Sequence, residues 1–156
     1  MVFLRSVHSG PESIRSSFCG PNHLEDGTFA MSVDEPIGGP VVIRVTGDID
    51  KSSVAVFAEC VTEAIVCGRS LVVDLLDVES VSPAGVSVLT AAAARLASHR
   101  CRAIVACNHT LHTRLVSEWG PVGVECHNTV AAAIQAALKP RTAPQHPPST
   151  VNAVTA

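Results

Sequence analysis

The feature of this sequence that most constrains its fold is SLVVDLL, residues 70–76, a run that is apolar at almost every position. A strand with one exposed face alternates apolar and polar residues, whereas a nearly unbroken apolar run indicates a central strand covered on both faces. The run leads through VESVSPAG, residues 78–85, into an alanine-rich segment with helical spacing. The sequence therefore predicts a buried strand that passes into a helix near residue 82.

Apolar strands alternate with helical patterns through the rest of the body of the chain. Short crossovers of this kind favour parallel strands with right-handed connections. The order β-β-α-β-α-β-α-β-α predicts an α/β fold, with a mixed sheet of four to five strands and about four helices packed over it. The predicted strands are residues 28–33, 41–47, 70–76, 102–107 and 122–126, and the predicted helices are 52–66, 84–98, 110–120 and 129–138, the last with Asn128 as N-cap.

The length of 156 residues predicts one domain with two tails. Residues 1–27 are rich in Ser, Gly, Pro and His and predict a flexible arm, and the folded domain is predicted to span residues 28–138. Residues 139–156 are rich in proline and predict a disordered tail. With 47% hydrophobic residues, the domain can bury a core without disulfides or a structural metal.

Composition argues against several classes of function. The net charge is −3 and no basic stripe is present, which argues against nucleic acid as the partner. No run of about 18 apolar residues and no secretory signal occurs, so we expect a cytoplasmic protein without a membrane span. The sequence has no nucleophile–base pair and no phosphate-binding loop, which argues against an enzyme, and it implies no cofactor.

The cysteines and histidines carry no metal signature in sequence. His109 and His112 are three residues apart and could share one helix face, but no cysteine or carboxylate partner lies beside them in a metal-binding spacing. The sequence therefore predicts no metal site. The cysteines form no CxxC pair and are expected to be buried, reduced thiols; they are Cys19, Cys60, Cys67, Cys101, Cys107 and Cys126.

The junction after the central strand has the composition of a helix start. Ser82 is a good N-cap, and Pro83 suits the first helical position because its missing N–H would have no partner there. Ala84 and Gly85 are small, which suits close packing or close approach by another molecule. A helix N-terminus also favours a phosphate group, so a serine here is either a cap or a regulatory switch, and we favour the cap.

A second loop, GDIDKSS at residues 47–53, follows the preceding strand. Asp50 or Ser52 can cap the next helix. Asp48 and Asp50 could instead act as paired carboxylates, but no histidine or third acid accompanies them, so capping with an acidic rim is the better interpretation. Parallel sheets present function at the carboxyl ends of their strands, and both loops are predicted to lie there.

These two loops resemble the signatures of one family. VVIRVTGDIDKSSVAVF is similar to the opening of STAS domains, the fold shared by anti-anti-sigma factors and the cytoplasmic tails of sulfate transporters. LVVDLLDVESVSPAGVSVL resembles their second signature, a strand ending in Asp-Leu followed by a hydrophobic pair, Asp-Ser-Ser-Gly and a helix. The likeness covers most of residues 28–138 and implies a STAS-like fold. The positions that match are Gly47, Asp48 (the family usually has Glu), Ile49, Asp50, Asp74, Leu75, Gly85, Val86, Val88 and Leu89.

The centre of the second signature departs from the family pattern. The family aspartate falls on Ser82, its first serine on Pro83 and its phosphorylated serine on Ala84. Alanine has no hydroxyl, so the usual phosphate acceptor is lost, and Ser82 and Ser87 are weak substitutes. The resemblance implies a partner-binding surface that includes Asp48, Asp50, Ser52, Ser80, Ser82, Pro83, Ala84, Gly85 and Ser87.

The resemblance implies an anti-sigma factor antagonist. Such a protein would bind an anti-sigma factor of the histidine-kinase-like ATPase type and free a sigma factor, without the usual serine phosphorylation. The absence of a membrane segment in the sequence argues against a transporter tail. The alternative is a STAS-like scaffold or sensor subunit that binds another regulator or a small ligand.

Overall fold

The structure is a computed structural model that describes residues 3–8, 13–19, 29–120 and 123–140, the first two ranges by their backbone alone. From residue 30 onward, strands and helices follow the order that the sequence predicts, and their boundaries agree with the predicted ones within a few residues. The strands are β1 (Phe3–His8), β2 (Ser13–Cys19), β3 (Ala30–Pro36), β4 (Val41–Thr46), β5 (Leu71–Asp77), β6 (Ala103–Cys107) and β7 (Glu125–His127), and the helices are α1 (Val54–Val66), α2 (Pro83–Ser98), α3 (His109–Trp119) and α4 (Val130–Leu138).

The strands form one mixed sheet whose spatial order is the order of the sequence, β1 to β7. The pairs β1–β2, β2–β3 and β3–β4 are antiparallel. The pairs β4–β5, β5–β6 and β6–β7 are parallel. The predicted α/β fold is confirmed over β3 to β7 and the four helices.

The sheet extends further than the sequence predicts, because β1 and β2 lie within residues 1–27, the predicted flexible arm. β2 pairs with β3 from Ser13 opposite Pro36 to Phe18 opposite Met31. With β1 and β2 the described sheet has seven strands, and the predicted mixed sheet of four to five strands corresponds to β3 to β7. These strands were missed because their segment has no sustained apolar period, so they depend on pairing with β3. Of the predicted disordered tail, residues 139–156, all but residues 139 and 140 lie outside the described residues.

The central strand β5 is covered on both faces, as its apolar run predicts. Leu71, Val73 and Leu75 pack into the larger core beneath α1, α2 and α3, and each is at most 1% exposed. Val72, on the other face, is fully buried beneath the alanines of α4. Burying a side chain of this size stabilises the fold by about 1.5–3 kcal/mol. This packing fixes the carboxyl edge of the sheet, where both candidate loops begin.

The last strand and helix differ slightly from the prediction. β7 covers residues 125–127 rather than 122–126. Helix α4 is capped by Thr129, whose hydroxyl oxygen accepts the backbone N–H of Ala132 at 3.2 Å, so Asn128 is not its N-cap. Both residues are of the capping type. Sequence could not decide between them because the choice depends on which one has the extended backbone.

Candidate functional site

The two loops meet at the carboxyl edge of the sheet and are joined by backbone hydrogen bonds. Ile49 and Val81 form a parallel β-bridge. The N–H of Ile49 donates to the carbonyl of Ser80 at 3.1 Å, and the N–H of Ser82 donates to the carbonyl of Ile49 at 2.7 Å. We call residues 47–53 and 79–87 the two-loop surface, and the predicted partner-binding residues all belong to it.

Asp48 fastens the second loop to the first. Its Oδ1 atom accepts the backbone N–H of Ser80 at 2.9 Å and that of Glu79 at 3.2 Å. The carboxylate is nevertheless exposed to solvent. It can therefore stabilise the loops and present negative charge at the same time.

Asp50 organises the start of α1. Its Oδ1 atom accepts the hydroxyl of Ser52 at 2.7 Å and the backbone N–H groups of Ser52 and Ser53 at 2.8 and 3.1 Å. The Ser52 hydroxyl, followed by these N–H groups, lowers the pKa of the Asp50 carboxyl. Neither predicted residue is the N-cap of α1, which is Ser53; Asp50 instead holds the turn that precedes the helix, and Ser52 donates to it.

Ser53 was missed by the sequence analysis. It is only 5% exposed and is the N-cap of α1 by position. Its hydroxyl oxygen accepts the N–H of Asp50 at 2.9 Å and lies 2.9 Å from the carbonyl oxygen of Asp48. The signal in sequence was the Asp-x-x-Ser spacing of Asp50 and Ser53. This spacing allows a serine hydroxyl to form a hydrogen bond with the backbone three residues earlier in a tight turn.

The start of α2 confirms the predicted cap. Ser82 has an extended backbone, and its hydroxyl oxygen accepts the N–H of Gly85 at 3.3 Å, with Pro83 in the first helical position. The hydroxyl of Ser87 donates to the carbonyl of Pro83 at 3.0 Å. Pro83, Ala84 and Ser87 are exposed. The family acceptor position, Ala84, thus lies open to solvent in the first turn of a helix.

Gly85 is a buried member of the two-loop surface and lies beneath its exposed residues. A Cβ atom added there would lie 2.8 Å from Cγ2 of Ile49 and 2.8 Å from Cγ1 of Val81, closer than carbon atoms can approach. Glycine therefore lets α2 pack directly against the bridge between the loops. Among the predicted partner-binding residues, Gly85 is the one that is buried.

The surface is acidic. Asp48 and Asp50 share a cavity of about 420 Å³ with Asp77 and Glu79, two carboxylates that the sequence analysis did not include. The acidic rim therefore contains four carboxylates, whereas the prediction included only the two in the first loop. Across the part of the chain that the structure describes, no three His, Cys, Asp or Glu side chains are positioned to hold a metal ion.

Helix α3, which follows the neighbouring strand β6, and its N-cap residue form hydrogen bonds with the end of β5 and with the second loop. The Asn108 side chain caps this helix by accepting the N–H of Leu111 at 2.8 Å, and its Nδ2 atom donates to the carbonyl of Leu76 at 3.3 Å. Nη1 of Arg114 donates to the carbonyl of Glu79 at 3.1 Å. Asn108 could have been found as a cap that precedes a helical pattern, whereas Arg114 gives no local signal.

The cysteines follow their prediction only in part. Cys60 and Cys107 are buried, and burial raises the pKa of the Cys60 thiol to about 12. Cys101 and Cys126 are half-buried, and the prediction is wrong for Cys67, which is exposed. Cys67 follows the last buried turn of α1, so the apolar face of that helix no longer covers it. The side chain of Cys19 lies outside the described residues.

Solved structures of other proteins have a similar fold. The crystal structure of an anti-sigma factor antagonist from Mycobacterium paratuberculosis is similar, with a TM-score of 0.61 and 21% sequence identity over 76% of this chain and 97% of that chain. The structure of the anti-sigma factor antagonist SpoIIAA in its unphosphorylated form is also similar, with a TM-score of 0.53 and 19% identity over 66% of this chain and 92% of that chain. At these identities the likeness shows a shared fold.

No match is found among curated protein sequences. Within the described ranges, no helix has both the length and the apolar character needed to cross a membrane. A model of the family described as "Mlab, STAS domain" matches residues 36–116, more than half of the chain, and these residues include the whole two-loop surface. The chain therefore belongs to the STAS domain family.

Proposed function

We propose that this chain is an anti-sigma factor antagonist and that the two-loop surface is its docking face. The observation that carries the proposal is the bridge between Ile49 and Val81, which joins both family signatures into one exposed surface. The two similar solved structures are named as anti-sigma factor antagonists, which supports this role. The chain would act by binding, without catalysis.

The proposed partner is an anti-sigma factor of the histidine-kinase-like ATPase type, and binding would free a sigma factor. The cavity beside the two loops is lined by the carboxylates of Asp48, Asp50, Asp77 and Glu79. Complementary charge guides docking and selects partners. A partner face that carries Lys or Arg therefore suits this surface.

Regulation by phosphorylation is proposed to be absent at the usual position. Ala84 offers no hydroxyl, although it is exposed. The Ser82 hydroxyl caps α2, and the Ser87 hydroxyl donates to the carbonyl of Pro83. A phosphate on Ser87 would replace the hydrogen that its hydroxyl donates to Pro83, whereas the Ser82 oxygen is already engaged as the cap of α2. The chain would thus remain in its binding-competent form.

The test is direct capture of purified anti-sigma factors from the same organism, followed by a release assay. The chain is added to a preformed complex of sigma and anti-sigma factor, and free sigma factor is measured by gel filtration. We expect one ATPase-type anti-sigma factor to bind and to release its sigma factor. Failure of every such factor to bind the folded chain would contradict the proposal.

The loss of the acceptor hydroxyl at Ala84 also favours a second candidate, a STAS-like scaffold or sensor subunit. In that case the same surface would bind a regulator without an ATPase domain, or a small ligand. Capture of such a regulator, abolished by substitution within the two-loop surface, would support this candidate over the first.

A further inference from the structure

One peptide group of the second loop is held from two sides. The peptide that joins Glu79 to Ser80 presents the carbonyl oxygen of Glu79 in one direction and the N–H of Ser80 in the opposite direction. Nη1 of Arg114 donates to this carbonyl at 3.1 Å, and Oδ1 of Asp48 accepts this N–H at 2.9 Å. Arg114 belongs to α3 and Asp48 to the first loop, so a single peptide group connects the two.

The two charged side chains polarise this peptide group in the same sense. A guanidinium at the oxygen and a carboxylate at the N–H both favour the charge separation that a peptide already carries. Hydrogen bonds that share a group in this way strengthen each other, and bonds to charged groups are stronger than bonds between neutral ones. The bond from Arg114 should therefore strengthen the bond to Asp48.

Helix α3 is itself fixed to the body of the domain, so it can support the loop. Asn108, whose side chain caps α3, also donates from Nδ2 to the carbonyl of Leu76 at 3.3 Å. Leu115, the neighbour of Arg114, packs in the larger core and is 4% exposed. Nε of Arg114 lies 3.7 Å from Oε1 of Glu118, about one turn further along the helix. The guanidinium thus has a defined position beside the loop.

The peptide that Arg114 contacts is part of the bridge between the two loops. The carbonyl of Ser80 accepts the N–H of Ile49 at 3.1 Å, and the carbonyl of Ile49 accepts the N–H of Ser82 at 2.7 Å. Ser82 in turn caps α2. A displacement of this peptide would therefore disturb both the bridge and the start of α2, which together carry the two-loop surface.

We propose that Arg114 is a positioning residue of the docking face, and that it acts together with Asp48 through the peptide between Glu79 and Ser80. The inference rests on the docking function proposed above and adds to it a residue of α3 that lies outside both loops. The Arg114 side chain is half exposed, and the carbonyl that it contacts is also open to water. Its loss should therefore affect docking more than global stability, because water can replace the donor.

The first experiment measures hydrogen exchange at the amides of Ser80 and Ile49 in the free chain by NMR. Arg114→Ala should speed this exchange by about 2- to 100-fold, the range of coupling between groups of one hydrogen-bond network. Arg114→Lys keeps a charged donor and should restore part of the protection. Arg95→Ala is the matched control, an exposed arginine on α2, and should leave the exchange unchanged. Unchanged exchange in Arg114→Ala would overturn the proposal.

A double-mutant cycle tests whether Arg114 acts through the shared peptide. In Asp48→Ala the N–H of Ser80 has lost its charged acceptor, so adding Arg114→Ala should speed exchange at least about twofold less than it does in the natural chain. Glu118→Gln removes the ion pair of Arg114 but leaves its bond to the carbonyl of Glu79, so this variant should exchange as the natural chain does. Equal effects of Arg114→Ala in both backgrounds, or an equal effect of Glu118→Gln, would contradict the shared-peptide mechanism.

The second experiment measures the affinity of the same variants for the captured anti-sigma factor by calorimetry. Exposed loops open at low free energy, and affinity falls with the fraction of chains in the binding-competent form, so Arg114→Ala should bind at least about twofold more weakly. Arg114→Lys should bind better than Arg114→Ala, and Arg95→Ala should bind as the natural chain does. Faster exchange with unchanged affinity would overturn the role in docking. If the natural chain binds no anti-sigma factor, the proposed function fails, whereas positioning of the loop by Arg114 is decided by exchange in the free chain.

Discussion

The Oδ1 atom of Asp48 lies 2.9 Å from the backbone nitrogen of Ser80. A carboxylate that follows β4 thus holds the loop that follows β5, across 32 positions of sequence. The role of this acid is conformational as well as electrostatic. Variants at Asp48 can separate the two contributions.

Replacing Asp48 by alanine should lower the free energy of unfolding by about 1–3 kcal/mol, because two backbone N–H groups lose a charged acceptor. Asp48→Asn retains one acceptor oxygen and should cost less. Urea unfolding of both variants measures the difference. Asp77→Ala is the control, since it removes an exposed carboxylate from the same cavity. Equal stability of Asp48→Ala and the natural chain would show that the contact does not hold the loop.

Gly85→Ala should destabilise the chain by about 1–3 kcal/mol, because the new methyl group overlaps Ile49 and Val81. Val81→Ala removes one of the two overlapping atoms. The double variant should therefore be more stable than the sum of the single effects predicts. Thermal or denaturant unfolding of all four proteins gives this coupling. Strictly additive losses would mean that the clash is relieved elsewhere.

Ala84→Glu should abolish or strongly weaken partner binding while leaving the fold intact. A carboxylate in the first turn of α2 is favourable to the helix by about 0.3–1 kcal/mol. Ala131→Glu is a matched control, since Ala131 is also exposed and is also the second residue of its helix, but on the other face of the sheet. Binding is measured by calorimetry with the captured anti-sigma factor. If Ala84→Glu binds as well as Ala131→Glu, the docking face lies elsewhere.

Ala84→Ser should create a phosphate acceptor that the natural chain lacks. The side chain at this position is exposed and lies in the first turn of α2, where a phosphate is stabilised by free N–H groups. We expect the partner kinase and ATP to modify Ala84→Ser but not the natural chain, as mapped by mass spectrometry. Efficient modification of the natural chain at Ser80, Ser82 or Ser87, lost upon substitution by alanine, would show that the acceptor has moved.

Asp50 should make stability depend on pH in the acidic range. Hydrogen bonds from Ser52 and Ser53 lower its pKa in the folded chain from the ordinary value of 3.8. A lowered folded pKa stabilises the fold above the unfolded pKa, and this contribution is lost as the pH falls through the folded value. The stability difference between the natural chain and Asp50→Asn should therefore shrink as the pH falls from about 5 through the folded pKa, which lies below 3.8.

Denaturant unfolding at several pH values provides the measurement, with Asp77→Asn as the control for removal of an exposed acid. A difference between Asp50→Asn and the natural chain that stays constant down to the acid limit would mean that the hydrogen bonds from Ser52 and Ser53 do not depend on ionisation of Asp50.

Local patterns were sufficient to predict most of the fold. The apolar run predicted β5 at residues 70–76, and the strand is Leu71–Asp77. Ser82 and Pro83 predicted the start of α2, because capping and a preset proline backbone act within one turn. The parallel order of β4 to β7 followed from the crossovers. The positions of these elements are determined by residues close to one another in sequence.

The candidate site was predictable only as two separate loops. The bridge between Ile49 and Val81 joins residues 32 positions apart, and no local signal gives that register. Gly85 could be recognised as small, but its contact with both loops depends on how α2 packs. The pairing of β2 with β3 likewise arises from the arrangement of strands rather than from spacing along the chain.

The bridge between Ile49 and Val81 has a consequence for the rate and strength of docking. Because the backbone of Ile49 is bonded to the second loop through both its N–H and its carbonyl, the loops cannot drift apart without breaking two hydrogen bonds. Flexible loops lose conformational entropy when a partner immobilises them, and that loss weakens association. Here the two loops are already joined in the free chain, so docking of the proposed partner would cost less of this entropy.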